Sequence, residues 1–299
     1  MKKVVVFFFI VLISSLKGDE ISKMKMRELI KQIKNQSSDK ILVTQNGTNI
    51  FFNENQLDET FLKNVDGVSQ ESLFYGVGGV NVATPLEERK YLLKNLLELE
   101  KNNKVVFSVN YANERKLRNI ILKDTKKYNF IGEAIPNYSA NSIFQPLQKE
   151  NSKDVKSLKD VKNFLYLLNP EKFKTLSDYY RILKNTDFDL LIIEPSLNGE
   201  FLSKEQIENL KIRKNGTKRL VISYFSIGEA ENYREYWNKS WEKKMPSWIV
   251  KENENWPGNY IIKYWDLDWK NIIKDYQKKL DSIGVDGYYL DTIDTYEQF

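Results

Sequence analysis

Apolar residues recur along this chain with two periods, and the two alternate. Short runs, most of them nearly continuously apolar, at 41–45, 67–74, 105–111, 130–136, 164–168, 190–194, 220–226 and 285–291 predict eight β-strands. Helical spacing fills the intervals: Leu92, Leu96 and Leu99 share a face, as do Leu117, Ile120 and Ile121. The most regular stripe is Trp269, Ile272, Ile273, Tyr276, Leu280 and Ile283. Strands joined by helical crossovers predict an α/β fold, a (β/α)8 TIM barrel, with functional groups at the C-terminal ends of its strands. A doubly wound open sheet is the alternative.

Two elements stand outside the alternation. Met26, Leu29, Ile30 and Ile33 predict a helix before any strand, while the strand ending at Asp291 has no helix after it. A closed barrel has no first strand, so the helix is expected to serve as the partner of that last strand, with the two ends of the chain meeting. The polar, Lys/Asn/Ser-rich stretch 140–162 reads as a linker. Residues 1–18 read as a signal peptide: Lys2 and Lys3, an apolar run from Val4 to Ile13, then Ser14 and Ser15. Cleavage is expected after Ser15 or Gly18, giving a secreted or cell-envelope protein; an uncleaved N-terminal anchor is the alternative. No other run approaches the roughly 20 apolar residues that span a bilayer.

Composition changes this picture mainly through what is missing. The chain has no histidine and no cysteine, which removes a Ser-His-Asp triad, a thiolate nucleophile, a lipoprotein anchor and the usual zinc sites. Acid–base chemistry must come from Asp, Glu, Tyr, Lys, Ser or Thr, which favours paired carboxylates. No cofactor or metal is expected, and oxygen ligands show no EF-hand spacing. The formal charge is +5, of which Lys2, Lys3 and Lys17 lie within the first 18 residues, leaving +2 after cleavage. The remaining charges are interspersed, so no nucleic-acid partner is expected. A monomer is expected.

Carboxylates cluster where the predicted strands end. Glu71 and Asp291 each close an apolar stretch containing Asp-Gly, where an unpaired carboxylate is costly without a purpose. Glu194, Glu229, Glu231, Asp266, Asp268 and Asp294 also follow apolar runs. Ordinary structural roles compete for some of them: Asp268 is placed to cap the Trp269 helix, and Glu229 and Glu231 to pair with Arg234. All six tryptophans (237, 241, 248, 256, 265 and 269) fall in one stretch, far longer than a usual βα loop of about two to six residues. Such a stretch suits both a sugar-stacking wall and a small core of its own, with Trp269 in the helix interface.

The motifs "SYFSIGEAENYREYW", "WPGNYIIKYWDLDW" and "GVDGYYLDTIDTYE" closely resemble the (β/α)8 enzymes of glycoside hydrolase family 114, which includes endo-α-1,4-polygalactosaminidases. "FLYLLN" and "DLLIIEP" fit its opening strands, although the family more often carries Asp at the position of Glu194. "ILVTQNG", "VDGVSQESLFYG" and "VVFSVNYA" resemble pieces that follow the "YLDxxDxYE" motif in the family but precede it here. The resemblance therefore implies a circularly permuted single barrel over 19–299. Residues 19–139 match the family's second half, 140–162 link, and 163–299 match its first half. A truncated or mis-assembled tandem-domain frame is the competing explanation. By this correspondence Asp291 and Glu71 match the catalytic carboxylate pair, acting as acid and nucleophile or acid and base. Tyr224, Glu229, Arg234, Tyr264, Trp265, Asp266, Asp294, Glu194 and Asn110 are implied cleft residues around an aminosugar. The implied activity is endo-hydrolysis of an α-1,4-linked galactosamine-containing polysaccharide. A non-catalytic carbohydrate-binding or envelope protein on the same barrel, and a glycosidase of other specificity, are the alternatives.

Overall fold

The computed structural model describes residues 20–148 and 151–299, so the signal-peptide stretch 1–18 lies outside the described residues. Eight parallel strands form one nearly closed barrel: β1 (Ile41–Gln45), β2 (Gly67–Glu71), β3 (Val105–Tyr111), β4 (Ile131–Ile135), β5 (Phe164–Leu167), β6 (Leu190–Ile193), β7 (Leu220–Ser226) and β8 (Gly287–Asp291). Around the sheet the order is β4-β3-β2-β1-β8-β7-β6-β5. The first and last strands are thus neighbours, in register from Ile41 opposite Gly287 to Thr44 opposite Leu290. Gly287 is required there, because a Cβ would collide with the carbonyl oxygen of Ile41. An aspartate just before a strand ties the start of the preceding barrel strand: Asp66 accepts from Leu42 N at 2.9 Å and Asp286 from Val221 N at 2.8 Å.

Amphipathic helices cover the outside. Helix α1 (Glu20–Gln36) buries Met26, Leu29, Ile30 and Ile33, the stripe read in the sequence. It packs on the helix Leu267–Ser282 and on the final 3-10 turn Ile293–Gln298. Gln277 Nε2 donates to Ile33 O at 2.9 Å and Tyr264 Oη to Ser22 O at 2.7 Å across that interface. The helix Leu267–Ser282 buries Trp269, Ile273, Tyr276 and Leu280. Its N-cap is Asp266, which accepts from Asp268 N at 3.0 Å; the cap expected at Asp268 lies two residues earlier. Asp266 has the extended backbone a cap requires, whereas Asp268 is already within the first turn.

The barrel has one open seam, between β4 and β5, which share no hydrogen-bonded ladder. The described residues of 140–162 are anchored to elements on both sides of it, unlike a free linker. At the mouth Leu168 N donates to Ala140 O at 3.0 Å; midway Leu147 N donates to the buried Glu133 Oε2 at 2.9 Å. At the floor Asn151 Nδ2 donates to Asp189 Oδ2 at 2.8 Å. Asn151 is a polar side chain turned to buried partners, which a period-based reading takes for solvent exposure.

Between β7 and α1's partner helix the chain builds a small three-stranded antiparallel sheet, Glu229–Glu231, Asn259–Ile262 and Ile249–Glu252. Its tryptophans pack in sequence: Trp237 on Trp241 at 5.2 Å, Trp241 on Trp248 at 5.2 Å, and Trp248 on Trp269 at 5.4 Å. Four of the six rings therefore form a local core against the helix. Trp265 is held by Phe299 at 4.8 Å, with Lys25 over its face at 3.9 Å. Only Trp256 reaches the cleft described next, and it is 48 % exposed.

Candidate active site

A cleft of about 1220 Å³ opens at the C-terminal ends of the strands, with lining residues from or just beyond every barrel strand. Glu71 ends β2 and Asp291 ends β8, on either side of β1, and both face this cleft. Tyr111 and Tyr166 (3.0 Å) both donate to Glu71 Oε1, and Asn46 Nδ2 reaches Glu71 Oε2 at 3.4 Å. Asn46 Oδ1 in turn accepts from Glu71 N and from Gln70 Nε2, each at 3.0 Å. Burial holds both tyrosines well above the ordinary phenol range, with the charge of Glu71 adding to the effect. They therefore remain donors at any working pH. Inside the barrel Tyr289 packs edge-on to Tyr166 at 5.7 Å and donates to Ser69 Oγ at 2.7 Å, a further layer supporting the pair.

Asp291 is placed differently. Its Oδ1 accepts Thr292 N at 2.8 Å, and burial, reinforced by the charge of Glu71, pushes its carboxyl well above the ordinary range. Glu71 is thus held by three donors, while burial and the nearby charge of Glu71 bias Asp291 towards its protonated form. Two carboxyl groups facing one cleft, one of them biased towards its protonated form, suit acid-assisted cleavage of an acetal.

Other predicted residues divide into two sets. Tyr224, Glu229, Arg234, Glu194 and Asp294 line the same cleft. Arg234 is buried between two carboxylates, with Nε on Glu231 at 2.6 Å and Nη1 on Glu194 at 2.6 Å. The rings of Tyr224, Tyr233 and Tyr276 lie 5.5–5.7 Å from its guanidinium. Burial alone would lower its pKa, but Glu194 and Glu231 outweigh that and raise it. Glu229 accepts from Asn253 Nδ2 at 2.8 Å, and burial raises its pKa.

The second set lies outside the cleft lining. Tyr264 is fully buried under α1, Trp265 packs on Phe299, and Asp266 caps a helix. Asn110 is also fully buried, accepting from Phe74 N at 2.9 Å and Tyr75 N at 3.3 Å, and so shapes the turn after Glu71 without facing the cleft. Asn46, Tyr111 and Tyr166 were not singled out by sequence reasoning. Asn46 and Tyr111 sit inside "ILVTQNG" and "VVFSVNYA", yet only the register of the strands brings them to Glu71.

Burial, then the charges of Glu297 and Glu229, push Asp294 up from an ordinary 3.8 to about 7. The native state thus binds a proton here that the unfolded chain has already lost above pH 3.8, so stability falls as pH rises from about 4 to 7. Asp294→Asn removes that contribution. Urea midpoints at pH 4.5 and 7.5 are expected to differ less in the variant than in the wild type; an unchanged difference would refute the assignment.

Comparison with known proteins adds the family. A protein of uncharacterised function from Methanocaldococcus jannaschii is 44% identical over 119 residues, covering 38% of this chain and 33% of that protein. One from Thermotoga maritima is 36% identical over 115 residues, covering 38% and 35%. The matches thus span about a third of the length of these relatives. Among solved structures, that of Aspergillus fumigatus Ega3 in complex with galactosamine matches at 27% identity and a TM-score of 0.30, over 38% of this chain and 40% of that one. Residues 145–299, more than half of the chain and including Asp291, match the model of glycoside-hydrolase family GH114, and the chain belongs to that family.

Proposed function

We propose that this protein is a secreted glycoside hydrolase that cuts an α-1,4-linked galactosamine-containing polysaccharide internally, using Glu71 and Asp291 as its carboxylate pair. The observation that carries this reading is the pair itself: two carboxylates at the ends of strands flanking β1, facing one cleft, with Asp291 raised by burial and by Glu71. One group donates a proton to the departing glycosidic oxygen. The other acts on the anomeric carbon, directly or through water. Family membership supports hydrolysis of a glycosidic bond.

Charge supports the substrate class. Glu71, Glu171, Glu252 and Glu254 line the cleft alongside Lys251, whereas its one buried arginine is already paired with Glu194 and Glu231. That surplus of carboxylates suits a polymer bearing ammonium groups. Trp256, half exposed at the cleft, offers an apolar face for a sugar ring.

The same reading makes the chain a circularly permuted member of the family. Helix α1, which precedes β1 yet packs on the helix before β8 and on the turn after it, and a seam placed mid-chain between β4 and β5, support it.

Incubation of the purified protein with defined α-1,4-galactosamine oligomers is expected to give shorter oligomers of intermediate length and new reducing ends. Intact oligomers, with binding retained in a pull-down, would overturn the hydrolase reading.

A further inference from the structure

We propose that Ser72 and Thr292 are positioning residues, each holding a left-handed backbone turn directly after a cleft carboxylate and so aiming Glu71 and Asp291 into the cleft. The inference rests on the hydrolase reading for its role in a reaction, but its geometry stands separately. Non-glycine residues seldom adopt positive φ, and β-branched ones least of all. Asn46, Ser72 and Thr292 do so at 54°, 53° and 59°, and each directly follows the last residue of β1, β2 or β8. These are three consecutive strands of the sheet. Asparagine tolerates this conformation; serine and threonine do not favour it. The chain meets the same need with glycine close by, at Gly47, Gly76, Gly78 and Gly79. Strain directly behind both carboxylates, and unrelieved by glycine, calls for a function.

The contacts show what each turn does. In its left-handed conformation Thr292 directs its N–H back to Asp291 Oδ1 at 2.8 Å. Its hydroxyl donates to Asp291 O at 2.7 Å, accepts Gly228 N at 2.8 Å, and lies 3.0 Å from Ser226 Oγ. One side chain thus ties the exit of β7 to the exit of β8. Gly228 seats so closely on the turn that a Cβ would collide with Thr292 O. Ser72 keeps its N–H in the ladder, on Val109 O at 2.8 Å, while its carbonyl accepts Thr84 Oγ1 and Gly76 closes over its side chain. The chain leaves the ladder at this residue, one position after Glu71, which stays at the rim with its tyrosine donors.

The test reads Asp291 itself. Its carboxyl ¹³C resonance, assigned with Asp291→Asn, is titrated in the ligand-free protein. The charged and titratable groups facing it are Glu71, Asp294, Tyr111, Tyr166, Tyr224 and Tyr289. Thr292→Val keeps the shape and strain but removes the hydroxyl ties, loosening the N–H aimed at the carboxylate. The midpoint is expected to move to higher pH by about half a pH unit or more, because a hydrogen bond to the charged form is weakened. Thr292→Ser restores the wild-type midpoint. In turnover, Thr292→Val lowers kcat about tenfold with KM little changed. Ser72→Gly relieves strain without removing a side-chain hydrogen bond, so it raises Tm by about 2–4 °C while lowering kcat about tenfold. A wild-type midpoint in Thr292→Val, or full kcat in Ser72→Gly, would overturn the proposal. Because the titration needs no substrate, a wild-type protein that fails to cleave bears on the hydrolase reading alone.

Discussion

Asp291→Asn and Glu71→Gln are each expected to lower polymer cleavage by about 10³-fold or more without unfolding the protein. The loss is large because each change removes a group that must change protonation or attack during the reaction, and no histidine or cysteine in the chain can replace it. The two variants should part company in stability. Burial and the charge of Glu71 hold the Asp291 carboxyl well above its ordinary range. Such a group contributes stability when protonated and loses it as pH rises towards its folded pKa. The amide cannot ionise and its oxygen can still accept Thr292 N, so Asp291→Asn is expected to melt no lower than wild type at pH 7. Glu71→Gln exchanges an anion that accepts from Tyr111, Tyr166 and Asn46 for a neutral acceptor, and should be slightly less stable. Reducing-end assays with thermal melts at pH 7 check both halves. Cleavage near the wild-type rate by either variant removes that residue from the pair.

Much of this architecture was legible in the residues. All eight strands appear where apolar runs are bounded by polar or glycine residues, because a barrel strand is buried on both faces and written as a block. Mismatches arise at strand ends. The strand predicted over 67–74 takes in Leu73 and Phe74, but the paired strand ends at Glu71 because Ser72 turns left-handed, a torsion that hydropathy does not encode. Glu71 and Asp291 stood out because a charge closing an apolar block is costly. Their donors did not. A tyrosine in a strand looks like ordinary filling, and the contact of Tyr166 with Glu71 joins residues 95 positions apart. Motif adjacency misled in the other direction. Tyr264, Trp265 and Asp266 sit in one conspicuous motif, yet the start of a helix turns that segment away from the mouth and towards α1.

Asp189→Ala is expected to destabilise the protein by about 3–5 kcal/mol, a fall in Tm of roughly 10 °C. Asp189 and Arg213 are both completely buried and form an ion pair at the floor of the barrel, just before β6. The carboxylate also accepts Asn151 Nδ2 at 2.8 Å and Lys162 N at 2.9 Å, while Arg213 donates to Lys153 O. One aspartate therefore holds both ends of the floor segment that leads into β5. Truncating it leaves a guanidinium in an apolar interior with a single carbonyl partner, and burial of an unpaired charge is what makes the loss large. Replacing both partners with apolar residues, Asp189→Leu with Arg213→Met, removes the stranded charge and should recover much of the stability. A single variant as unstable as the double one would mean that the cost is the lost tether of Asn151 and Lys162 and not the unpaired arginine. The pair sits at the opposite end of the strands from Glu71 and Asp291, so kcat per folded molecule should be unchanged. A variant that melts like wild type would show that the seam between β4 and β5 is held by other contacts, with Glu133 and its bond from Leu147 N the first to examine.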